Sequence, residues 1–308
     1  MSLAAFLQQL VNGLTLGSMY SLVALGYTMV YGIIELINFA HGEIFMFGAF
    51  IGLFTLQGLE SLGLTNFGVM LTVAFLVSMV ITSILGVAVD RIAYKPLRNA
   101  PRITALLSAI GVSIFLQNFV MLAFGRDLFP FPRRIIGGVT FGGVRIDNIQ
   151  IIAVVGSVLL MYLLDLLVRK TLMGKAMRST AQDMEAASMM GIDSDRIITV
   201  TFVIGSSLAA VGGILNGLYY GGIKFDMGFI LGLKAFTAAV LGGIGNIRGA
   251  MLGGIILGLC ETIVVAVMSA VGFAWAFDYK DAISFVVLII VLILLPSGLM
   301  GENVSEKV

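Results

Sequence analysis

Residues 197–223 read IITVTFVIGSSLAAVGGILNGLYYGGI and contain no Asp, Glu, Lys or Arg. At about 1.5 Å of rise per residue, a helix of this length exceeds the ~30 Å hydrocarbon core of a bilayer. The run has company: 2–34, 44–59, 67–89, 103–125 and 282–301 are also free of charged residues. The chain is 59% hydrophobic and 11% charged, with mean hydropathy +1.08, whereas a soluble domain carries charge on about a quarter of its residues. These runs define an all-α polytopic membrane protein with eight or nine transmembrane helices, some of them discontinuous. A first apolar run this long, with no basic segment before it, is not expected to be a cleavable signal peptide. The net charge of +1 gives no reason to expect nucleic acid. A single Cys, Cys260, and a single His, His41, leave no internal disulfide and no multi-histidine metal site.

Immediately before the opening run comes the one long polar segment, LMGKAMRSTAQDMEAASMMGIDSD, residues 172–195. At helical spacing Met177, Ala181, Met184 and Ala187 or Ser188 share a small-and-Met face, with Arg178, Gln182 and Glu185 on another. Gly191 stands where a helix stops, and Asp193 or Ser194 can cap the next one. The segment reads as a short amphipathic helix, a turn, and re-entry into the membrane. Its apolar face has two candidate beds: the lipid headgroups or the protein's own underside, and a partner protein, for which a Met-rich surface is adaptable.

The other loops set the orientation. DRIAYKPLRNAPR, residues 90–102, holds Arg91, Lys95, Arg98 and Arg102 and is cytoplasmic by the positive-inside rule. A crossing at 103–124 then places the Gly-rich linker 125–148 outside, despite its Arg126, Arg133, Arg134 and Arg145. A return at 149–169 places 172–195 inside, in agreement with Arg169, Lys170, Lys175 and Arg178. Further helices are expected at 6–33, 44–57, 67–90, 197–220, 229–244, 250–270 and 282–300, the last closed by Pro296 and Gly298. The tail ENVSEKV is then cytoplasmic. Tyr219 and Tyr220, and the group Phe273, Trp275, Phe277 and Tyr279, suit the outer interface. The side of the N-terminus depends on whether 35–57 and 229–249 span fully.

Several residues invite function. Glu35, Asn38, His41 and Glu43 lie at a junction of apolar runs. They form either a surface turn or a group at membrane depth, which is costly unless it faces a polar path. Gly13 and Gly17, Gly249 and Gly253, and Gly254 and Gly258 are spaced for close helix packing. The run around Gly242, Gly243 and Gly245 is either part of such packing or an unwound segment offering its backbone to a solute. Lys234 and Glu261 stand inside apolar runs, where they either snorkel or serve the path. No Ser/His/Asp set and no GxxxxGK[ST] phosphate loop occurs, so neither catalysis nor ATP hydrolysis is expected of this chain, and no cofactor.

Glu185-Ala186-Ala187 followed by Gly191 resembles the EAA-x-x-x-G motif of ABC importer permeases, without its Ile-x-Leu-Pro ending at Thr201-Phe202-Val203-Ile204. More specifically, MVYGIIELINFAHGE (29–43), LLSAIGVSIFLQN (106–118), GIDSDRIITVTFVIG (191–205) and KAFTAAVLGGIGNIRGAMLGG (234–254) resemble the branched-chain amino acid ABC transporter permease, close to its H-type, almost end to end. Arg248 departs from a Pro expected there. The resemblance implies a single transmembrane permease domain, 1–308, in a bacterial inner membrane with its C-terminus cytoplasmic. It implies a second related permease subunit, two ABC ATPase subunits, a periplasmic branched-chain amino acid-binding protein and membrane lipid as partners. Loop 172–195 would be the coupling helix, with Arg178, Asp183, Glu185, Ala186, Ala187 and Gly191 as ATPase-coupling residues. Asn38, His41, Glu43, Lys234, Gly242, Gly243, Gly245 and Glu261 would belong to the translocation path for leucine, isoleucine or valine. A permease for urea or amides, or a secondary transporter that needs no ATPase, are the competing expectations.

Overall fold

The structure, a computed structural model, describes residues 2–98, 100–132, 137–295 and 297–301. The expectations for Arg133, Arg134, Pro296 and the tail 302–308 lie outside the described residues.

Helices dominate. α1 (Leu3–Ile34), α2 (His41–Ser61), α3 (Phe67–Val89), α4 (Arg102–Phe124) and α5 (Asn148–Lys170) precede the polar segment, which forms α6 (Leu172–Gln182) and α7 (Met184–Met189). Then come α8 (Ser194–Tyr220), α9 (Met227–Gly242), α10 (Ile247–Ala270) and α11 (Lys280–Leu294). Among the described residues, 7 helices are long and apolar enough to cross a membrane. α9, with 16 residues, and α11, with 15, are shorter; at ~1.5 Å per residue they reach about 24 and 22 Å.

α1 is the axis. It is buried from Leu16 to Val30, because α5, α8, α9 and α10 surround it. Its Gly13 and Gly17 meet α10 at Leu259, Thr262, Gly254 and Ile255, and Gly258 meets Gly17 in return. The expected small-residue packing is therefore real, and it is antiparallel. Ser21 seals it: its hydroxyl donates to Gly17 O at 2.8 Å and to Met251 O at 2.7 Å. By contrast α3, α4 and α5 leave apolar side chains such as Leu76, Phe115, Leu122 and Val155 exposed, as a lipid-facing surface requires.

The two ends of the bundle differ. At one end, the basic end, Lys95 and Arg98 meet Asp195, and Ile34, Glu35, Arg98 and Asp183 line one groove. The Gly245 backbone lies against Gly32 there, and Asn246 donates to Met300 O at 2.9 Å. The other end carries a hairpin, β2 (Gly138–Phe141) paired with β3 (Val144–Asp147), and a short pair of β1 (Phe129–Pro130) with β4 (Gly222–Ile223). Arg145 N donates to Gln8 at 2.9 Å, so the start of α1 is at this hairpin end. Loops 90–102 and 172–195 therefore share one end and 125–148 the other, as the charge pattern implied.

α2 does not begin where α1 ends. Glu35 closes α1 with φ 53°. Residues 36–40 then double back, and α2 starts with His41 beside Gly26, well inside the bundle.

Candidate functional site

Three polar regions interrupt this apolar bundle. The first is the segment 171–195. Thr171 caps α6 by accepting from Gly174 N at 3.1 Å, and Arg178 donates back to Val168 O at the end of α5. Met177 and Thr180 are buried beneath α6. The helix then breaks, which the periodicity did not foresee. Asp183 is extended, with φ −159° and ψ 109°, and its carboxylate accepts from Glu185 N at 3.0 Å and Ala186 N at 2.9 Å. This is an N-cap; Asp183 followed by a first-turn Glu was the available signal. Gly191, at φ +82°, ends α7 with Ile192 N donating to Ala187 O and Gly191 N to Ser188 O, both at 3.0 Å, a Schellman closure.

The single stripe expected across Met177, Ala181, Met184 and Ala187 is thereby split. Met177 and Ala187 face the protein's own core, whereas Ala181 and Met184 are exposed. Arg178, Asp183, Ala187 and Gly191 hold the segment together, while Glu185 and Ala186 face outward. Met189 and Met190, 86% and 83% exposed, form the apolar tip pointing away from the bundle. Sequence reasoning also missed the lashing beneath this tip. Arg98 donates to Asp195 and, at 2.8 Å, to the buried Asp90, which accepts from Thr199 at 2.9 Å. Lys95 meets Asp195 at 2.7 Å. Asp90 opens a π-helical turn, Asp90–Tyr94; such turns recur at functional sites.

The second region is at depth. Asn38, His41 and Glu43 are each 1% exposed, so the surface-turn reading is overturned for these three, whereas Glu35 is exposed at the basic end. Tyr94 donates to Asn38 Oδ1 at 3.0 Å. The His41 ring is wedged against Gly26 and meets Tyr27 edge-on, with centroids 5.0 Å apart. Glu43 accepts from Ser113 at 3.2 Å. Its other oxygen lies 2.6 Å from where a Cβ on Gly228 would stand, in the first turn of α9, whose positive end favours a carboxylate.

The third region is near the hairpin end. Lys234 Nζ is 2.8 Å from Glu261 Oε1 and 2.6 Å from Asp281 Oδ1. Tyr20 and Ser284 each donate to Glu261 Oε2 at 3.0 Å. Lys234 and Glu261 are thus one buried pair rather than a snorkelling lysine and an isolated acid. Gly242, Gly243 and Gly245 join neither region. They form the turn between α9 and α10 at the basic end, against Gly249, Gly301 and Gly32 respectively, so the helix break is not at mid-depth. Arg248, in the first turn of α10, grips Asp165 of α5 with bonds of 3.1 and 3.0 Å.

The fold is that of a polytopic α-helical membrane protein with polar residues buried in its bundle and a capped, apolar-tipped helical segment at its basic end. The family can be stated: the model described as branched-chain amino acid transport system / permease component matches residues 9–292, and the chain belongs to that family, a family of transporter subunits rather than enzymes. It is 46% identical over 308 residues, with 98% of each chain covered, to the high-affinity branched-chain amino acid transport system permease protein BraD of Pseudomonas aeruginosa. It is 44% identical, over the same share of each chain, to the permease protein LivH of the corresponding system in Salmonella typhimurium. A partial likeness, 33% identity over 141 residues and 44% of this chain, joins it to the autoinducer 2 import system permease protein LsrC of Yersinia enterocolitica, 38% of which is covered.

Proposed function

We propose that this chain is the membrane-spanning subunit of an ATP-driven importer that carries leucine, isoleucine and valine across a bacterial inner membrane. The observation that carries the reading is full-length similarity to branched-chain amino acid permeases. It supports that substrate class over urea, amides or an ATPase-independent carrier. The chain acts as one permease domain, beside a second, related permease. The basic end is cytoplasmic, as its lysines and arginines favour, which puts the N-terminus and hairpin on the periplasmic side, below a binding protein.

The segment 172–195 is the coupling element. The Met184, Met189 and Met190 tip, with Glu185 and Ala186 beside it, is the part free to enter a groove on an ATPase subunit. Because Asp183 and Gly191 close α7 at both ends, it moves as a unit. Arg178 passes that motion to α5, and Asp195 passes it through Lys95 and Arg98 to α3 and α4. Asn38, His41 and Glu43 lie where those helices meet α8 and α9, and tilting there opens the path. Gly242, Gly243 and Gly245 serve as the tight turn that lets α9 and α10 tilt together.

The test is reconstitution of this chain with its companion permease, both ATPase subunits and the binding protein in proteoliposomes. Leucine, isoleucine and valine should enter only with ATP on the ATPase side, and a substitution of the phosphate-loop Lys in the ATPases should abolish entry. Uptake indifferent to ATP would refute the reading.

A further inference from the structure

Between α1, α8, α9 and α11, at the hairpin end, lies a cavity of about 240 Å³. Its polar wall contains Lys234, Asp281, Lys280, Lys224 and Asp226, and its apolar wall Leu128, Met227, Ile230 and Leu231. Formal charges on the wall, with Glu261 directly behind Lys234, balance: three lysines face three carboxylates. A balanced wall gives no net attraction to a simple anion or cation, but it offers separate partners to a molecule that carries both signs.

One wall group is also left over. Asn216 is 5% exposed and lines the cavity, while its amide Nδ2, turned away from solvent, has no hydrogen-bond partner. A buried donor without an acceptor is costly, and a turn toward the cavity would give it one. Asp281 offers the complementary group: it is 40% exposed at the side chain and holds Lys234 with Oδ1.

We propose that this cavity is a binding site for a zwitterion, a primary ammonium joined to an anionic group and an aliphatic body. A turn of the Asn216 amide about its soft terminal torsion brings Nδ2 to the anionic group beside Lys280. The ammonium lies against Asp281, competing with Lys234, which keeps Glu261 as its partner. The aliphatic body lies on Met227, Ile230 and Leu231. Two sources supply this chemistry, a free α-amino acid and the headgroup of phosphatidylethanolamine. The amino-acid source rests on the function proposed above and adds a way station between the binding protein and the deeper Asn38–His41–Glu43 region.

The experiment uses the full chain in nanodiscs of phosphatidylcholine and phosphatidylglycerol, read by saturation-transfer NMR of added ligands. L-leucine should receive saturation. 4-Methylpentanoate, which lacks the ammonium, and isoamylamine, which lacks the carboxylate, should receive at least tenfold less. Asn216→Leu should lose the leucine signal while keeping the wild-type melting temperature. Adding phosphatidylethanolamine to the nanodiscs separates the sources: unchanged leucine saturation assigns the site to the amino acid, and its displacement, with the lipid retained in native mass spectra of wild type but not of Asn216→Leu, assigns it to the headgroup. Equal saturation of the three ligands, or leucine saturation that survives Asn216→Leu, overturns the site; so does the absence of both leucine saturation and a retained lipid. ATP-driven leucine uptake by the complete wild-type assembly, measured in parallel, tells these failures apart: uptake with an empty cavity sinks the site alone, and no uptake sinks the transport reading.

Discussion

At the scale of the residue, the most expensive feature is the Lys234–Glu261 pair. Two charges 4% and 3% exposed are held inside an apolar bundle, where an unpaired charge is strongly disfavoured. Lys234→Met leaves Glu261 buried with the Tyr20 and Ser284 hydroxyls in place of a cation. We expect a loss of about 3–5 kcal/mol, the usual result of breaking a buried pair from one side. The double change Lys234→Met with Glu261→Met removes both charges and should recover more than half of that loss, since Asp281 is partly exposed and can hydrate. Unfolding in mild detergent measures both; a double variant as unstable as the single one would mean that the pair does not act as a unit. Sequence marked each residue as costly. It did not join them, because they are 27 positions apart on different helices, and only the antiparallel register of α9 and α10 brings them level.

At the scale of the element, the polar segment shows how much of a structure lies in its punctuation. Its place at the end of an apolar run, its ending at Gly191 and its position at the basic end were all legible. The break at Asp183 was not read, because one hydrophobic stripe can be drawn through both helices. The β2–β3 hairpin was likewise absorbed into a linker, although Gly142-Gly143 between Phe141 and Val144 is a two-residue turn signal. The split changes which substitutions report on a partner. Ala187 is buried in its own chain, so bulk there disturbs internal packing. Met189→Asp and Met190→Asp alter only the exposed tip. They should leave stability within about 0.5 kcal/mol, as surface changes do, yet lower co-purification of the ATPase subunits and leucine uptake together. Gly191→Val should reach the same end by another route, since a β-branched residue is poorly tolerated at φ +82°. Undiminished ATPase association in all three variants would remove the segment from the coupling role.

At the scale of the whole molecule, the fold places the start of α1 and the β2–β3 hairpin at one end, and both basic loops with Met300 at the other. Sequence left the side of the N-terminus open, because it could not tell whether 35–57 and 229–249 span fully; the Gln8–Arg145 bond settles which loops α1 joins. In a Cys260→Ser background, Val139→Cys, which is 60% exposed, should react with an impermeant maleimide in intact spheroplasts. Lys175→Cys should react only after lysis, and the reverse pattern would invert the proposed orientation. The doubled-back segment 36–40 also has a consequence for how the protein is made. Asn38, His41 and Glu43 are shielded by Tyr94, Ser113, Gly205 and Gly228, all of which leave the ribosome after them. A nascent chain stopped before α8 and α9 therefore exposes polar side chains that lipid cannot satisfy. The start of α2 has to wait, held near the insertion machinery or at the water boundary, until residues from the far end of the chain arrive to enclose it.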